Sequence, residues 1–197
     1  MYRFIETLKI ENGIIKNCEY HNRRLNATRK VFYDSNNNIN ISDYIELSSC
    51  HVGGIFKCRL VYSKDIEAIT IDEYSKKNIN SLKVISADMD YSYKYENRAL
   101  LDQLFAQRGE CDEILIVKNN YLTDTSFSNI VLFDGSKWVT PSTPLLKGTK
   151  RQFLLDSGII SKEAIALENL KNFKKIGLVN SLVELGDIEI PIERVSF

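Results

Sequence analysis

Apolar and polar residues alternate in the first part of the chain, and this alternation predicts β-strands. The stretches "YRFIETLKI" (2–10) and "IIKNCEY" (14–20) read as two strands around the turn "ENG", whose glycine can adopt a positive φ. Residues 21–33, "HNRRLNATRKVFY", space their apolar positions for a helix instead. Two more strands follow at 54–63 and 66–74. The pattern therefore predicts a small unit of strands with one helix.

A polar stretch, "SKKNINS" (75–81), separates this part from a second run of elements and marks the expected domain boundary. We predict a small α/β domain over residues 1–78 and a larger, β-rich domain over 79–197. Within the larger domain, "ENRALLDQLFAQRG" (96–109) predicts a helix, and the apolar run "EILIVK" (113–118) predicts a strand buried on both faces. Strands outnumber helices and alternate with them irregularly, so we expect the α+β fold class.

Composition and charge narrow the range of functions. Basic and acidic residues number 26 each, so no net field directs the protein to nucleic acid or to an anionic membrane. No stretch resembles a signal-peptide core or a membrane-spanning run. The four cysteines form no C-x-x-C pair, which favours reduced thiols in a cytoplasmic protein. With only two histidines, no metal site is expected.

Two charged residues stand where side-chain chemistry is possible. Lys94 precedes the predicted helix among three tyrosines, where burial would favour a neutral amine that can form a Schiff base. Asp124 follows later, among small hydroxyl residues. Taken singly, each has an ordinary interpretation, because Lys94 can be a solvated surface lysine and Asp124 a turn-forming residue. Neither is specific alone, so the motifs around them decide between the two interpretations.

Six segments follow one another in a specific order: "FIETLKIENG", "HNRRL", "KYENR", "DEILIVKNNYLTDTSFSNIVLF", "TPLLKGTKRQF" and "VNSL". They resemble the motifs of the fold-type IV pyridoxal-phosphate enzymes, the class IV aminotransferase family. The resemblance runs from residue 4 to about residue 185. It is closest to the aminodeoxychorismate lyases of that family, because the K-x-x-N-R form of Lys94–Arg98 is nearer to the lyases than to the branched-chain aminotransferases.

The resemblance implies a two-domain α+β fold of the D-amino acid aminotransferase type that binds pyridoxal 5'-phosphate. It implies that Lys94, in the larger domain, forms the Schiff base and acts as general acid and base. Asp124 would face the pyridine nitrogen and keep it protonated. The residues implied to hold the cofactor phosphate are Arg24, Thr149, Lys150 and Ser181. Candidate contacts to the carboxylates of a small-molecule substrate are Thr7, Arg59 and Arg98.

Three departures from the family pattern affect these expectations. Asp124 stands where the family has a glutamate, which is one methylene longer. The chain starts almost at the first strand, so we expect a fold truncated at its N-terminus. The hairpin "SKDIE" (63–67) is short where the lyases carry a Gly/Arg-rich loop that binds substrate carboxylates. The cofactor site is therefore better supported than the substrate pocket.

The family's active site lies between its two domains and near a dimer interface, so the resemblance implies a homodimer. The leading functional hypothesis is a 4-amino-4-deoxychorismate lyase, which eliminates pyruvate to give 4-aminobenzoate for folate synthesis. One alternative is an aminotransferase for D-amino or branched-chain amino acids, which would need a 2-oxo acid. A third is a degenerate family member without catalysis, against which the presence of both Lys94 and Asp124 counts.

Overall fold

The computed structural model describes residues 2–48 and 53–197 and divides the chain into two compact units. The first unit comprises Met1–Lys76 together with Tyr93–Asn97, and the second comprises Lys77–Ser92 together with Arg98–Phe197. The segment Tyr93–Asn97, which carries Lys94, thus belongs to the first unit and not to the larger one. Hydrogen bonding explains its place, because the Lys94 carbonyl accepts from Ile5 N at 2.9 Å.

The first unit is a four-stranded antiparallel sheet with one long helix. The strand order is β2-β1-β3-β4. The turn between β1 and β2 places Asn12 and Gly13 at positive φ, as predicted for a tight hairpin. The elements are β1 (Phe4–Glu11), β2 (Ile14–Ile15), α1 (Cys18–Tyr33), a 3₁₀ turn (Ile41–Tyr44), β3 (Ile55–Tyr62) and β4 (Ile66–Glu73).

The second strand of the hairpin is shorter than the alternation predicted. It ends at Ile15, and Asn17 adopts a left-handed conformation with φ 53° that starts α1 at Cys18. Asparagine tolerates this conformation better than most residues, so the chain can turn sharply there. The predicted strand over 14–20 is therefore wrong beyond its first two residues.

One apolar face of the first sheet packs against α1. Phe4, Leu8 and Ile10 of β1 are fully buried in a cluster with Leu25 of α1 and Leu60 of β3. Alternation along β1 sends Glu6 to this same face, where it is 0% exposed. A buried carboxylate on an apolar face requires partners, and these define the candidate site of this unit.

The second unit contains two sheets and two helices. A five-stranded sheet has the order β10-β9-β8-β11-β12, and a four-stranded sheet has the order β13-β5-β6-β7. The strands are β5 (Leu82–Ser86), β6 (Glu113–Lys118), β7 (Tyr121–Leu122), β8 (Asn129–Phe133), β9 (Trp138–Pro141), β10 (Ser161–Glu163), β11 (Lys175–Val179), β12 (Glu189–Pro191) and β13 (Val195–Ser196). The helices are α2 (Ala99–Phe105) and α3 (Thr149–Asp156), with 3₁₀ turns at Ala106–Arg108, Leu167–Asn172 and Ile192–Arg194.

The two sheets of this unit share one apolar core. Leu115 and Val117 of β6 lie in the same buried cluster as Ile130 and Leu132 of β8. On the other side of β8, Val131 packs with residues of α3 and β11. Both faces of β8 are therefore covered. The apolar run 113–118, which forms β6, is buried over its first five residues, as predicted. The mixed architecture agrees with the predicted α+β class.

The helix predicted over 96–109 is shorter in the structure. It starts at Ala99, because Glu96 N donates to Arg3 O and the preceding residues belong to the first unit. None of the helices in the described ranges combines the length and apolarity that a membrane crossing requires. Cys18, Cys58 and Cys111 are free thiols, and Cys50 lies outside the described residues. Within 2–48 and 53–197, no group of three or more possible ligands is arranged to hold a metal ion.

Candidate active site

The predicted site residues fall into two groups, one in each unit. The group in the first unit comprises Thr7, Arg24, Arg59 and Lys94. The group in the second unit comprises Arg98, Asp124, Thr149, Lys150 and Ser181. A buried carboxylate holds part of each group: Glu6 binds Arg24 in the first unit, and Asp124 is itself a member of the second group.

In the first unit the organising carboxylate is Glu6, and we call Glu6, His21 and Arg24 the Glu6 cluster. Arg24 binds Glu6 with two parallel hydrogen bonds, Nε to Oε1 at 2.8 Å and Nη2 to Oε2 at 2.5 Å. His21 Nδ1 donates to Oε2 at 2.6 Å. The H-x-x-R spacing on α1 places both side chains toward β1, because residues three apart share a helix face. The Arg24 side chain is thus fixed while remaining 16% exposed.

The Glu6 cluster holds its carboxylate in the charged form. Burial acts to raise the pKa of Glu6, but the charge and hydrogen bonds of Arg24, with a smaller effect of His21, lower it to about 2. Burial lowers the pKa of His21, and the charges of Arg24 and Lys94 add to the lowering against the opposing effect of Glu6. Lys94 therefore acts electrostatically on the same cluster that holds Arg24.

Lys94 lies half-buried in the segment that joins the edge of β1. Its carbonyl accepts from Ile5 N, and Tyr95 forms a β-bridge with Phe4. The ring of Tyr95 packs 5.1 Å from that of Phe4, between centroids. Backbone pairing and aromatic packing thus hold the backbone of Lys94 in a fixed position. A fixed backbone is what a lysine needs if its amine is to point in one direction.

Thr7 and Arg59 are opposite one another across β1 and β3. Because residues directly opposite in an antiparallel pair project to the same face, both lie on the face away from Glu6. Arg59 is paired with Glu96 at 3.3 Å, and Glu96 also binds Arg3 at 3.2 Å. The structure thus brings two predicted substrate contacts together but gives the arginine an acidic neighbour.

In the second unit the organising carboxylate is Asp124, which is 5% exposed. Its Oδ1 accepts from Asn129 Nδ2 at 2.7 Å, and its Oδ2 accepts from Leu146 N at 2.9 Å. We call Asp124, Asn129 and the Leu146 backbone the Asp124 cluster. Burial raises the pKa of Asp124 to about 6, against the opposing effects of these hydrogen bonds and the charge of Arg151.

The Asp124 cluster continues into the start of α3. Asn129 Nδ2 also donates to Leu146 O at 2.8 Å. Gly148 is the N-cap of α3, and a Cβ built on it would lie 1.9 Å from Asn129 Oδ1. Its φ of −68° is open to any residue, so the close approach of Asn129 alone requires glycine there. Thr149, the next residue, is buried and begins the helix.

The remaining predicted residues of this unit have defined contacts. Lys150 is 4% exposed, and its Nζ binds Glu184 Oε2 at 2.6 Å, so only its backbone fits the predicted phosphate role. Ser181 lies in a turn where Leu182 N and Val183 N donate to Asn180 Oδ1. Arg98 Nη2 donates to Ser126 O at 2.8 Å.

The sequence interpretation gave no role to Glu6, Asn129 or Arg151. The signal for Glu6 is an acid on the apolar face of a strand that precedes an H-x-x-R helix. Arg151 is 2% exposed, and its Nη2 donates to Pro141 O at 2.8 Å. Its burial could not be read from the start of an ordinary helix. Asn129 begins a strand, where an asparagine reads as the end of a turn.

The chain is similar over nearly its whole length to a known protein family. A model of the amino-transferase class IV family matches residues 3–189. The chain belongs to the class IV aminotransferase family. Enzymes of this family depend on pyridoxal 5'-phosphate, so the predicted family, fold and cofactor are confirmed.

Individual relatives of this class IV aminotransferase family member range from close to distant. An uncharacterised protein of Haemophilus influenzae is 39% identical over 185 residues, which cover 92% of this chain and 98% of that protein. A crystal structure from Haemophilus somnus 129PT, provisionally named a 4-amino-4-deoxychorismate lyase, is 31% identical with a TM-score of 0.89 and covers 94% of this chain and 98% of that one. A hypothetical aminotransferase of Mycobacterium tuberculosis with pyridoxal phosphate bound is 17% identical, with a TM-score of 0.78 over 98% of this chain and 81% of that one, and shows the fold alone.

The residues present fit this cofactor. In the first unit, the fixed, partly exposed guanidinium of Arg24 is a group of the kind that binds phosphate. In the second unit, the backbone at the start of α3, whose N-cap makes no side-chain hydrogen bond, is another such group. A buried carboxylate at Asp124, held by neutral donors, suits a protonated ring nitrogen. Lys94 supplies the primary amine that a covalent link to an aldehyde needs.

Proposed function

We propose that this protein is a pyridoxal-phosphate-dependent 4-amino-4-deoxychorismate lyase. The observation that carries the proposal is the 31% identity, over nearly the whole of both chains, to the Haemophilus somnus protein provisionally named as such a lyase. The K-x-x-N-R form of Lys94–Arg98 supports the same choice. The proposal includes a cytoplasmic homodimer with Lys94 as the covalent attachment point.

Each residue would have a defined task. When bound, the cofactor supplies an electron sink for negative charge that develops at the carbon bearing the substrate amine. Arg24, with the N–H groups of Thr149 and Lys150 and the Ser181 hydroxyl, would hold the phosphate, and Asp124 would hold the ring proton. Lys94 would remove the proton from that carbon, as a base positioned next to it.

Loss of pyruvate then leaves an aromatic ring, and aromatisation drives the elimination. The two products, pyruvate and 4-aminobenzoate, together contain all atoms of the substrate, so no second substrate is needed. An aminotransferase, by contrast, must pass its amino group to a 2-oxo acid. The same cofactor residues serve both reactions, so the requirement for a 2-oxo acid separates the lyase from an aminotransferase for D-amino or branched-chain amino acids.

The decisive experiment incubates the purified protein with aminodeoxychorismate and follows pyruvate and 4-aminobenzoate. We expect both products, in equal amounts, with no 2-oxo acid present. If product forms only when a 2-oxo acid is supplied, or if amino acids are transaminated while aminodeoxychorismate is ignored, the aminotransferase takes the place of the lyase.

A second experiment tests the attachment point alone. Borohydride reduction of the protein with pyridoxal phosphate, followed by peptide mapping, should place the label on Lys94. The variant Lys94→Ala should lose the label. Lys118→Ala is the control, because Lys118 is a half-buried lysine of the second unit whose Nζ already binds Met89 O at 2.8 Å. Label on another lysine would overturn the assignment.

A further inference from the structure

The side chain of Asn129, the first residue of β8, makes three contacts, and all three are with residues outside that strand. Its Nδ2 donates both to Asp124 Oδ1 at 2.7 Å and to Leu146 O at 2.8 Å, and its Oδ1 lies where a Cβ of residue 148 would be. The side chain is 7% exposed. One amide group thus touches the carboxylate, the loop before α3 and the N-cap of α3.

We infer that Asn129 is the positioning residue that fixes the Asp124 carboxylate against the backbone of Leu146 and Gly148. Leu146 N donates to Asp124 Oδ2, so the carboxylate, the amide and the loop close a ring of hydrogen bonds. The ring ties the spacing between the acid and the start of α3 to one side chain. This inference rests on the proposed roles of Asp124 toward the ring nitrogen and of α3 toward the phosphate.

The side chain at 124 makes such a tether necessary. An aspartate reaches less far than the glutamate of the family pattern and has one rotatable bond fewer, so its carboxylate has less freedom to adjust to a bound ring and must be held at the right place by its surroundings. Asp124 has neutral donors at both oxygens, and the charged group that acts on it is Arg151 of α3. Arg151 is itself anchored, by Nε to Thr140 Oγ1 at 3.1 Å. Asn129 is therefore the side-chain donor whose removal leaves the carboxylate held by backbone N–H groups.

The first test replaces Asn129 by serine, which is too short to bridge the two oxygens. In the cofactor-free chain, carboxyl NMR should show the pKa of Asp124 raised by about one unit, since a hydrogen bond to the charged form is lost. Affinity for pyridoxal phosphate should fall about tenfold, as expected for one hydrogen bond to a charged group. An unchanged pKa together with unchanged affinity would overturn the inference.

A matched control separates this effect from general destabilisation. Asn26 also bridges two backbone groups with its amide, because Nδ2 donates to Ile39 O and Oδ1 accepts from Ile39 N. Asn26→Ser should lower the melting temperature while leaving the pKa of Asp124 and the cofactor affinity at wild-type values. If both serine variants shift these two readouts equally, Asn129 has only a structural role.

The contact with Gly148 gives an independent test that needs no cofactor. Gly148→Ala should lower the melting temperature and raise the pKa of Asp124, because the added Cβ would push the Asn129 side-chain amide away from Asp124. The amide itself is unchanged in this variant. In the Asn129→Ser background the same change should have little effect, since the obstructing atom is gone. Additive effects of the two substitutions would contradict the inference. This test also applies if Asn129→Ser alone binds cofactor too weakly to measure.

These readouts distinguish failure of the inference from failure of the proposed function. Absence of lyase activity leaves both the carboxyl titration and the double substitution interpretable. If Asp124→Asn leaves the visible absorption of bound cofactor unchanged, the proposed role of Asp124 is wrong. If Asp124→Asn changes that absorption while Asn129→Ser leaves the pKa of Asp124 and the cofactor affinity unchanged, Asp124 keeps its role and Asn129 loses the one inferred for it.

Discussion

Glu6 in the first unit and Asp124 in the second are both buried carboxylates, and they are held in opposite ways. Glu6 is fully buried, yet Arg24 and His21 lower its pKa to about 2. Asp124 is almost as deeply buried, but its direct partners are an amide and a backbone N–H, and burial raises its pKa to about 6. Burial is shared, so the charge of the direct partners decides the direction of the shift.

This difference matches different tasks. With a pKa of about 2, the Glu6 carboxylate stays charged at neutral and mildly acidic pH, so the Glu6 cluster works as a fixed support for Arg24. A carboxylate held by neutral donors keeps capacity for a cationic partner, and a protonated ring nitrogen would be such a partner. The Asp124 cluster therefore suits ligand binding, whereas the Glu6 cluster suits preorganisation of a side chain.

Removal of the Arg24 guanidinium should leave Glu6 buried without a hydrogen-bonded arginine partner, as Asp124 is. We expect this change to have the largest effect on the free energy of unfolding. Arg24→Gln should lower the free energy of unfolding by about 3–5 kcal/mol near neutral pH, because it leaves an uncompensated buried charge. The deficit should shrink as the pH falls through the pKa of Glu6 in this variant, which burial without Arg24 raises, since Glu6 can then accept a proton. Urea denaturation at several pH values measures both effects.

Arg23→Gln is the matched control for Arg24→Gln. Arg23 neighbours Arg24 on α1 but is exposed and stacks over the ring of Tyr20 at 4.1 Å. Its removal should change the free energy of unfolding by less than about 1 kcal/mol at any pH. Equal effects of the two substitutions would show that Glu6 does not depend on Arg24 for its charge.

The Asp124 cluster should show the reverse pH dependence. The folded-state pKa of Asp124, about 6, lies above its ordinary value of 3.8, so protonated Asp124 stabilises the fold at low pH and this contribution is lost as pH rises through about 6. For the cofactor-free chain, the free energy of unfolding of wild type relative to Asp124→Asn should therefore fall by about 2 kcal/mol between pH 4 and pH 7.

Asp88→Asn provides the control for this measurement. The Asp88 side chain is 87% exposed in the same unit, so there is no burial to relieve. Its unfolding free energy should follow that of wild type across the range. The interpretation of Asp124 fails if the aspartate and asparagine forms keep a constant difference from pH 4 to pH 7.

The partly exposed ion pair of Arg59 and Glu96 should have the smallest effect on stability. Arg59→Ala should lower the free energy of unfolding by less than about 1 kcal/mol, because the Arg59 and Glu96 side chains are 35% and 27% exposed. If Arg59 also binds a substrate carboxylate, KM should rise several-fold while the cofactor spectrum stays unchanged.

Arg3→Ala is the matched control for this pair, since Arg3 binds the other oxygen of Glu96 at 3.2 Å. It should cause a similar small loss of stability with no change in KM. A rise in KM for both variants would mean that Glu96, and not Arg59, influences the substrate.

Much of the fold could be predicted from the sequence because local patterns dominate there. Alternation located β1, β3 and β4, the Asn-Gly pair located the first turn, and the apolar run 113–118 located β6. The end of the second strand was wrong because a single asparagine in a left-handed conformation overrode the alternation. Local sequence does not reveal where one residue changes the direction of the chain.

For the candidate site, too, the sequence predicted some features and not others. Motif spacing indicated Lys94, Arg24 and Asp124, but it gave no hint of what holds them. Asn129 contacts residues 17 and 19 positions further along the chain, and Glu6 meets Arg24 at a separation of 18. Such contacts depend on how elements pack, which periodicity does not encode.

Each unit is formed from two separate segments of the chain, and this affects how the protein folds during synthesis. The edge of β1 is completed by Tyr93–Asn97, and β5 is completed by pairing with β13, where Val195 lies opposite Leu82. During synthesis, the pairing of β1 with Tyr93–Asn97 can form only after that segment is made, and the pairing of β5 with β13 only after the last residues are made. Contacts so distant in sequence slow folding and prolong exposure of strand edges. A fragment ending at residue 78 would therefore aggregate more readily than the intact chain.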